Sequence, residues 1–258
     1  MYKEATRMLN NDTISVANYV LQSGKIKNTV VIAHLSDLHE KSFGPDNRDL
    51  FSAVRRLAPD IICVTGDLVA RSFQKHLNRP YTVRLAQELV KMAPVFFATG
   101  NHEKKLFGEM LPVLIREGVQ IATGKMSSLD IRGNLIRVAG MHDISIDRNF
   151  YRHAAVFENV GKGYNIFLSH RPEHYHNLMH YNIDLLLCGH THGGQVRFPL
   201  FGTFFMPGQG LFPRYLQGGF VNRNTTMIVS RGLGSSGYPT IRINNPPELV
   251  CITLTGLQ

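Results

Sequence analysis

The chain is poor in cysteine, lacks tryptophan and contains no apolar run long enough to cross a membrane. Its three cysteines, Cys63, Cys188 and Cys251, each lie inside an apolar stretch, and so sparse and odd a set argues against a disulfide framework. A membrane-spanning helix needs about 18 consecutive apolar residues, so none is predicted. Residues 1–28 also lack the charged start and apolar core of a secretory signal. The chain as given is therefore expected in the cytoplasm, and one trimmed of a leader would be expected in the cell envelope.

Acidic side chains are in the minority, with 19 Asp and Glu against 28 Lys and Arg and a net charge of +9. Such a surplus favours anionic partners: phosphate esters, nucleic acid or acidic lipid headgroups. The basic residues are dispersed, which argues against a dedicated nucleic-acid module and leaves nucleic acid open as a substrate. The length of 258 residues and the hydrophobic content of 43% are typical of a globular enzyme.

Short apolar runs alternate with helical segments along most of the chain. This alternation predicts an α/β fold, in which ligands bind at the carboxyl ends of the strands. Residues 1–28 are expected to form a lead-in with an edge strand, and residues 29–258 one domain. A β-hairpin is predicted over 129–139, with Gly133-Asn134 in the turn. Helices are predicted at 47–57, 79–92, 104–117, 150–159 and 173–181.

Polar side chains of the kinds that bind metals come immediately after five of the predicted strands. In the fifth, two imidazoles stand one residue apart between glycines, which let the backbone turn sharply and approach whatever the imidazoles hold. Such a coincidence at five strand ends indicates one shared site rather than scattered surface residues. The residues at these ends are Asp37 and His39, Asp67, Asn101 and His102, His170, and His190 and His192.

Seven of these side chains are candidate metal ligands, and together they offer oxygen and imidazole donors without a thiolate. This donor set suits manganese, iron or zinc better than calcium or copper(I). Seven donors are too many for one open catalytic ion and about right for two ions that share a carboxylate. Such pairs, about 3.5–4 Å apart, recur in phosphatases and nucleases. The seven are Asp37, His39, Asp67, Asn101, His170, His190 and His192.

The order of these motifs resembles the calcineurin-like metallophosphoesterase superfamily, and within it the bacterial YkuE/YaeI-like branch. The resemblance extends from about Thr29 to Thr255, and the tail segments 211–215, 230–234 and 247–249 support it. Each motif is short, but the ordered set is specific. The motifs are Ser36-Asp37-Leu38-His39, Thr65-Gly66-Asp67-Leu68, Gly100-Asn101-His102-Glu103, His170 and Gly189-His190-Thr191-His192-Gly193-Gly194-Gln195.

The resemblance implies a fold and a division of the ligands. The fold would be a four-layer α/β (α+β) sandwich of two stacked mixed β-sheets flanked by helices. Two divalent ions are implied, with manganese expected first and iron or zinc as alternatives, and His102 would lie outside both and meet the substrate phosphate or leaving oxygen. One ion would take Asp37, His39, Asp67 and His192, and the other Asp67, Asn101, His170 and His190.

The predicted activity is hydrolysis of a phosphodiester or pyrophosphate bond by attack of metal-bound hydroxide. His102 would assist by protonating the leaving group or by stabilising the transition state. Alternatives are a pyrophosphate hydrolase acting on a lipid-linked sugar nucleotide at the membrane surface, a phosphomonoesterase, a nuclease, or a metal-binding scaffold without catalysis. The substrate would accordingly be a small phosphate ester or a lipid-linked molecule, and the sequence does not predict an oligomeric state.

Three further features have two interpretations each. Arg231, in a glycine-rich turn, is a candidate substrate-binding residue that could clamp a phosphate. The apolar loop 198–207 could pack as a lid or touch a membrane surface, which would make the protein peripheral to the membrane. Glu103 could orient His102 or cap the helix that follows it.

Overall fold

The computed structural model describes residues 12–70, 75–194, 205–206, 209–211, 213–235 and 242–257. Two six-stranded sheets stack on each other, and β10 and β11 form a separate pair. The strands in chain order are β1 (Ser15–Gln22), β2 (Val30–Leu35), β3 (Ile61–Val64), β4 (Val95–Phe97), β5 (Gln120–Ile121), β6 (Ser127–Ile131), β7 (Asn134–Gly140), β8 (Tyr164–Leu168), β9 (Leu185–Cys188), β10 (Phe205–Met206), β11 (Gly210–Leu211), β12 (Gly218–Asn222), β13 (Thr225–Val229) and β14 (Glu248–Thr255).

Both large sheets are mixed. The first has the order β1-β14-β2-β3-β4-β5, in which β14 runs parallel to β1 and antiparallel to β2, and the remaining pairs are parallel. The second has the order β12-β13-β9-β8-β7-β6, with parallel strands in the centre and an antiparallel hairpin at each edge. The central parallel strands of each sheet therefore have their carboxyl ends on the same edge of that sheet, and binding sites form at such edges.

The core is divided into layers by the alternation of side chains along the strands. Ile32 and Phe96 of the first sheet pack against residues of the second, such as Ile166. Their neighbours Ala33 and Phe97 point the other way. Strands covered on both faces consist of nearly continuous apolar runs, as these do. The outer face of the first sheet carries three helices, α1 (Arg48–Arg56), α2 (Arg79–Val90) and α3 (Phe107–Arg116).

The outer face of the second sheet is covered by shorter helical turns. The predicted helix 150–159 is wrong, because the structure has two 3-10 turns, Phe150–His153 and Ala155–Phe157, in its place. The apolar positions there, such as Ala154 and Phe157, recur every three residues, which fits a 3-10 turn rather than an α-helix. The predicted helix 173–181 shortens to a 3-10 turn and α4 (Tyr175–Leu178). The layered arrangement nevertheless confirms the predicted α/β sandwich of two mixed sheets flanked by helices.

The hairpin of β6 and β7 turns one residue earlier than predicted. Its turn is Arg132-Gly133, with φ of 53° and 77°, and Asn134 already pairs with Ile131. Two left-handed residues form the turn that matches the twist of a hairpin. The side chain of Asn134 accepts the backbone N–H of Lys27 at 2.7 Å and ties the hairpin to the segment before β2.

Two predictions concern burial and membranes. All three cysteines are free and buried, in agreement with the absence of a disulfide framework. Among the described helices, none combines the length and apolar character that crossing a bilayer requires. The apolar loop 198–207 lies outside the described residues, except for the backbone of β10.

Candidate metal centre

The polar side chains that follow the strands meet between the carboxyl edges of the two sheets. From the first sheet, β2 leads to Asp37 and His39, and β3 leads to Asp67. From the second, β8 leads to His170, and β9 leads to His190 and His192. Direct contacts join the two sets: the N–H of His190 donates to Oδ2 of Asp37 at 3.0 Å, and Nδ1 of His170 contacts the carbonyl of Thr65 at 2.7 Å.

Six of the predicted ligands form two clusters that share Asp67. In each cluster the candidate ligand atoms all lie within 4.8 Å of one another, as an ion would require. The first cluster contains Asp37, His39, Asp67 and His192, and the second contains Asp67, His170 and His190.

Within these clusters, imidazole nitrogens face each other at hydrogen-bonding distance. Nε2 of His39 lies 3.1 Å from Nε2 of His192, and Nδ1 of His190 lies 3.2 Å from Nε2 of His170. A neutral imidazole ring carries one proton, so two such nitrogens attract each other only through a proton or a shared cation. The outer Nδ1 atoms of His39 and His170 contact backbone carbonyls, of Val69 at 3.1 Å and Thr65. Carbonyls in this position hold the ring so that Nε2 is free to bind a metal.

Asn101, the seventh predicted ligand, lies in the segment that follows β4. Its side-chain Oδ1 is buried and has no hydrogen-bond partner among the described residues. A buried acceptor without a donor costs about 1–3 kcal/mol, so such an atom calls for a ligand. Together with the two clusters, this orphaned oxygen fits a metal centre of hard to borderline ions.

Without a cation, the positive charge of the two clusters lies on one imidazole, that of His170. Burial alone would lower the pKa of His170, but the carboxylates of Asp67, Asp37 and Asp143 raise it to about 10. Burial dominates at His39 and His190 and lowers their pKa to about 4 and about 3. Those rings are therefore neutral at physiological pH, which is the form that binds metals, while an ion entering beside His170 must displace a proton.

Five of the clustered residues have a backbone conformation that L-residues rarely adopt. All have positive φ, and a residue other than glycine keeps this backbone conformation only where its surroundings hold it there. Asp, Asn and His tolerate it better than most other residues, which suits the ligand chemistry to the backbone. The five are Asp37 (52°), His39 (49°), Asp67 (53°), His190 (70°) and His192 (49°).

Two glycines allow the strand ends to approach so closely. A Cβ at Gly189 would collide with the side chains of Ser36 and Asp37, across the two sheets. A Cβ at Gly66, whose φ is 87°, would collide with the backbone of Gly100. These glycines are therefore required by contact between loops, and at Gly66 also by conformation.

His102 lies beside the clusters and belongs to neither. Its Nε2 is 3.8 Å from Oδ2 of Asp67, its ring packs edge-on against His39 with centroids 4.6 Å apart, and its side chain is 14% exposed. The backbone N–H of His102 donates to the other oxygen of Asp67 at 2.9 Å. Its placement thus gives one imidazole access to solvent next to the shared carboxylate.

Arg231 is engaged elsewhere. Its Nε lies 2.6 Å from Oε2 of Glu248, and its Nη2 donates to Oγ of Ser15 at 3.1 Å. A phosphate would have to compete with this buried carboxylate, and a substrate-binding role for Arg231 stays a prediction.

Glu103 organises two of the ligand loops, a function that the sequence pattern left between two other interpretations. Its fully buried carboxylate accepts the backbone N–H groups of Asp67 at 2.8 Å, Leu68 at 2.8 Å, Val69 at 3.3 Å and Gly100 at 2.6 Å. Burial, and next the charge of Asp67, raise the pKa of Glu103 to about 7. Glu103 therefore fixes the loops that present Asp67 and Asn101.

Replacement of Glu103 by glutamine is expected to lower stability and metal affinity together. Two backbone donors face each carboxylate oxygen, so either orientation of the amide turns an NH₂ group toward two of them. At about 1–3 kcal/mol for each buried donor left unpaired, the free energy of unfolding should fall by about 2 kcal/mol or more. Urea denaturation of metal-free protein measures this.

The matched control is Glu88→Gln, which removes a charge from a partly exposed ion pair between Glu88 of α2 and Lys91, the residue after that helix. Such surface changes usually stay within about 0.5 kcal/mol. If Glu103→Gln were as stable as this control, the hydrogen bonds of Glu103 would not be what holds the two loops.

Arg242 was not singled out from the sequence, because no motif surrounds it. Arg242 is 1% exposed, and its Nη2 donates to the carbonyls of Arg231 at 2.7 Å and Gly232 at 3.1 Å. The same nitrogen lies 3.4 Å from Nδ1 of His192. Arg242 therefore holds the turn that backs the first cluster.

Comparisons with known proteins agree with this geometry. The profile of a family described as calcineurin-like phosphoesterase matches residues 30–194. An Aquifex aeolicus protein described as an uncharacterized metallophosphoesterase is 30% identical over 94% of this chain and 92% of its own length. The uncharacterized metallophosphoesterase YkuE of Bacillus subtilis is 26% identical over 86% of this chain and 76% of its own. Phosphodiesterase YaeI of Escherichia coli is 29% identical over 86% and 81%.

A solved structure shares the fold. The protein TT1561 of Thermus thermophilus superposes with a TM-score of 0.52 over 80% of this chain and 91% of that chain, at 14% sequence identity. At this identity the likeness concerns the arrangement of sheets and helices.

Proposed function

The chain belongs to the calcineurin-like phosphoesterase family, whose members hydrolyse phosphoric esters, and from this we propose that it is a phosphodiesterase with two metal ions. The observation that carries the proposal is the pair of clusters that share Asp67. In this proposal one ion is held by Asp37, His39, Asp67 and His192, and the other by Asp67, Asn101, His170 and His190.

The metal ions supply chemistry that the side chains lack. When bound, two divalent ions lower the pKa of coordinated water toward neutrality and offset the charge on the phosphoryl oxygens. The oxygen and imidazole donors suit manganese first, with iron and zinc as alternatives. YaeI, a relative of similar length, is described as a phosphodiesterase, which supports the choice of a diester over a monoester.

His102 is proposed as the residue that assists the leaving group. It is the imidazole beside the shared carboxylate that neither cluster uses, and its partly exposed ring can reach a bound ester. It would protonate the leaving oxygen or stabilise the charge of the transition state.

The test is hydrolysis of bis-p-nitrophenyl phosphate against p-nitrophenyl phosphate, after removal of metals with EDTA and add-back of Mn²⁺, Fe²⁺, Zn²⁺ or Mg²⁺ separately. We expect metal-restored cleavage with a preference for the diester, together with two metal ions per chain in elemental analysis. Preference for the monoester would replace phosphodiesterase by phosphatase.

Two silent outcomes lead in different directions. If two ions are bound and neither ester is cleaved, these two esters are not substrates, and lipid-linked pyrophosphates are tested next. The net charge of +9 suits such anionic molecules. No cleavage with no ion bound would overturn the enzymatic proposal.

A further inference from the structure

Arg171 and Asp143 lie beside the second cluster, and neither is a proposed metal ligand. Arg171 directly follows His170, and its Nε lies 2.5 Å from Oδ2 of Asp143, while its Nη2 lies 3.4 Å from Oδ1. Asp143 follows β7, the neighbour of β8 in the second sheet, and is 1% exposed. A buried carboxylate that contacts two nitrogens of one guanidinium fixes the plane of that group.

The same guanidinium reaches a residue of the second cluster. Its Nη1 lies 3.0 Å from Nε2 of His190, whose Nδ1 faces His170. Glu173 offers a carboxylate oxygen to Nη1 only at 3.5 Å, beyond the usual length of an N–H···O bond. The side chain of Arg171 keeps 17% of its surface exposed, so it lies at the border between the cluster and solvent.

The contact between Arg171 and His190 is incompatible with a cation in the second cluster. A guanidinium can only donate. A neutral His190 ring that binds a cation through Nδ1 carries its hydrogen on Nε2, and that nitrogen also donates. Two donors cannot pair, so Nη1 of Arg171 needs an acceptor from elsewhere while Asp143 keeps the guanidinium in place.

We propose that Arg171 is a substrate-binding residue, whose Nη1 donates to a non-bridging oxygen of the phosphate group held at the second cluster. The planar, permanently charged fork of arginine suits a phosphate better than lysine does. Asp143 is the positioning residue that keeps this fork directed at the cluster. This inference rests on the proposed function, since it concerns the same phosphate ester.

The experiment compares Arg171→Met and Arg171→Lys with wild type, and with Arg48→Met as a matched control at a side chain that is 76% exposed on α1. All proteins are loaded with Mn²⁺, and inorganic phosphate serves as the probe. Three quantities are measured: metal content, the dissociation constant of phosphate by calorimetry, and KM and kcat for bis-p-nitrophenyl phosphate.

We expect Arg171→Met to keep its metal. Its dissociation constant for phosphate should rise about tenfold or more, because about one charge-assisted hydrogen bond is lost. KM should rise by a similar factor, and Arg171→Lys should lie between wild type and Arg171→Met. Arg48→Met should match wild type in all three measurements.

Two outcomes would overturn the inference on its own. Loss of metal with phosphate affinity unchanged, per loaded site, would make Arg171 a support of His190 rather than a substrate-binding residue. Unchanged phosphate binding with unchanged KM would remove it from the site. A failure of the proposed function is distinguishable, because wild type itself would then neither bind phosphate nor cleave the ester.

Discussion

Replacement of Asp67 by asparagine is expected to abolish both metal binding and hydrolysis. Asp67 is the residue common to both clusters, with Oδ2 at 3.3 Å from Nε2 of His170 and 3.8 Å from Nε2 of His39. Removing its charge deprives both ions of an anionic ligand. A metal ion contributes several kcal/mol to stabilising the transition state, so kcat/KM should fall by about 10³-fold or more. Elemental analysis and diester hydrolysis, measured on the same preparation, check this.

Asparagine is the right substitution here, because the φ of Asp67 is 53° and asparagine tolerates this region well. A matched control exists at Asp46, which has the same φ of 53° and a side chain that is 75% exposed. Asp46→Asn applies the same chemical change to the same backbone conformation, and it should leave metal content and activity unchanged. An Asp67→Asn protein that still held two ions would contradict the sharing of this carboxylate.

Replacement of His102 by alanine is expected to lower kcat by about 10²–10⁴-fold while the protein keeps both metal ions. The ring lies outside both clusters, so its loss removes no ligand. A series of methyl aryl phosphodiesters with leaving phenols of rising pKa separates the two roles of His102. If His102 protonates the leaving oxygen, the defect grows as the leaving group becomes poorer. If it stabilises phosphoryl charge, the defect stays constant along the series.

His176 provides the control for this experiment, since it is an exposed histidine on α4. His176→Ala should retain wild-type kinetics. Full turnover by His102→Ala on every substrate of the series would refute both roles of His102, and loss of metal from this variant would instead make His102 part of the metal site.

The resemblance found in the motifs is confirmed, and so is the two-sheet architecture, for a physical reason. Buried parallel strands such as Ile61–Val64 consist of short apolar runs, and polar residues that follow such runs reach a shared edge whatever the connecting loops do. Strand ends therefore identified Asp67 and His170 as neighbours although they lie far apart in the chain. The YkuE and YaeI proteins named in the comparisons belong to the branch that the motifs indicated.

Other parts of the site depend on contacts that leave no local pattern. The four backbone donors around Glu103 come from two different loops, so its sequence neighbours could not reveal them. The pairing of Arg171 with Asp143 joins two strand ends of the second sheet, so neither residue's local sequence indicates it.

The position of β14 in the first sheet has a consequence for how the protein is made. β14 lies between β1 and β2 and pairs with β1 in a register that joins Ser15 to Glu248. β1 leaves the ribosome before the other described strands, yet its partner β14 emerges last among them. At synthesis rates of about 5–20 residues per second, β14 follows roughly 10–50 seconds later. During that interval β2 has β3 beside it but an open edge on its other side, the kind of edge that recruits foreign strands. The second sheet can assemble while the first still waits, so the strand that begins the sandwich is among the last to be secured in it.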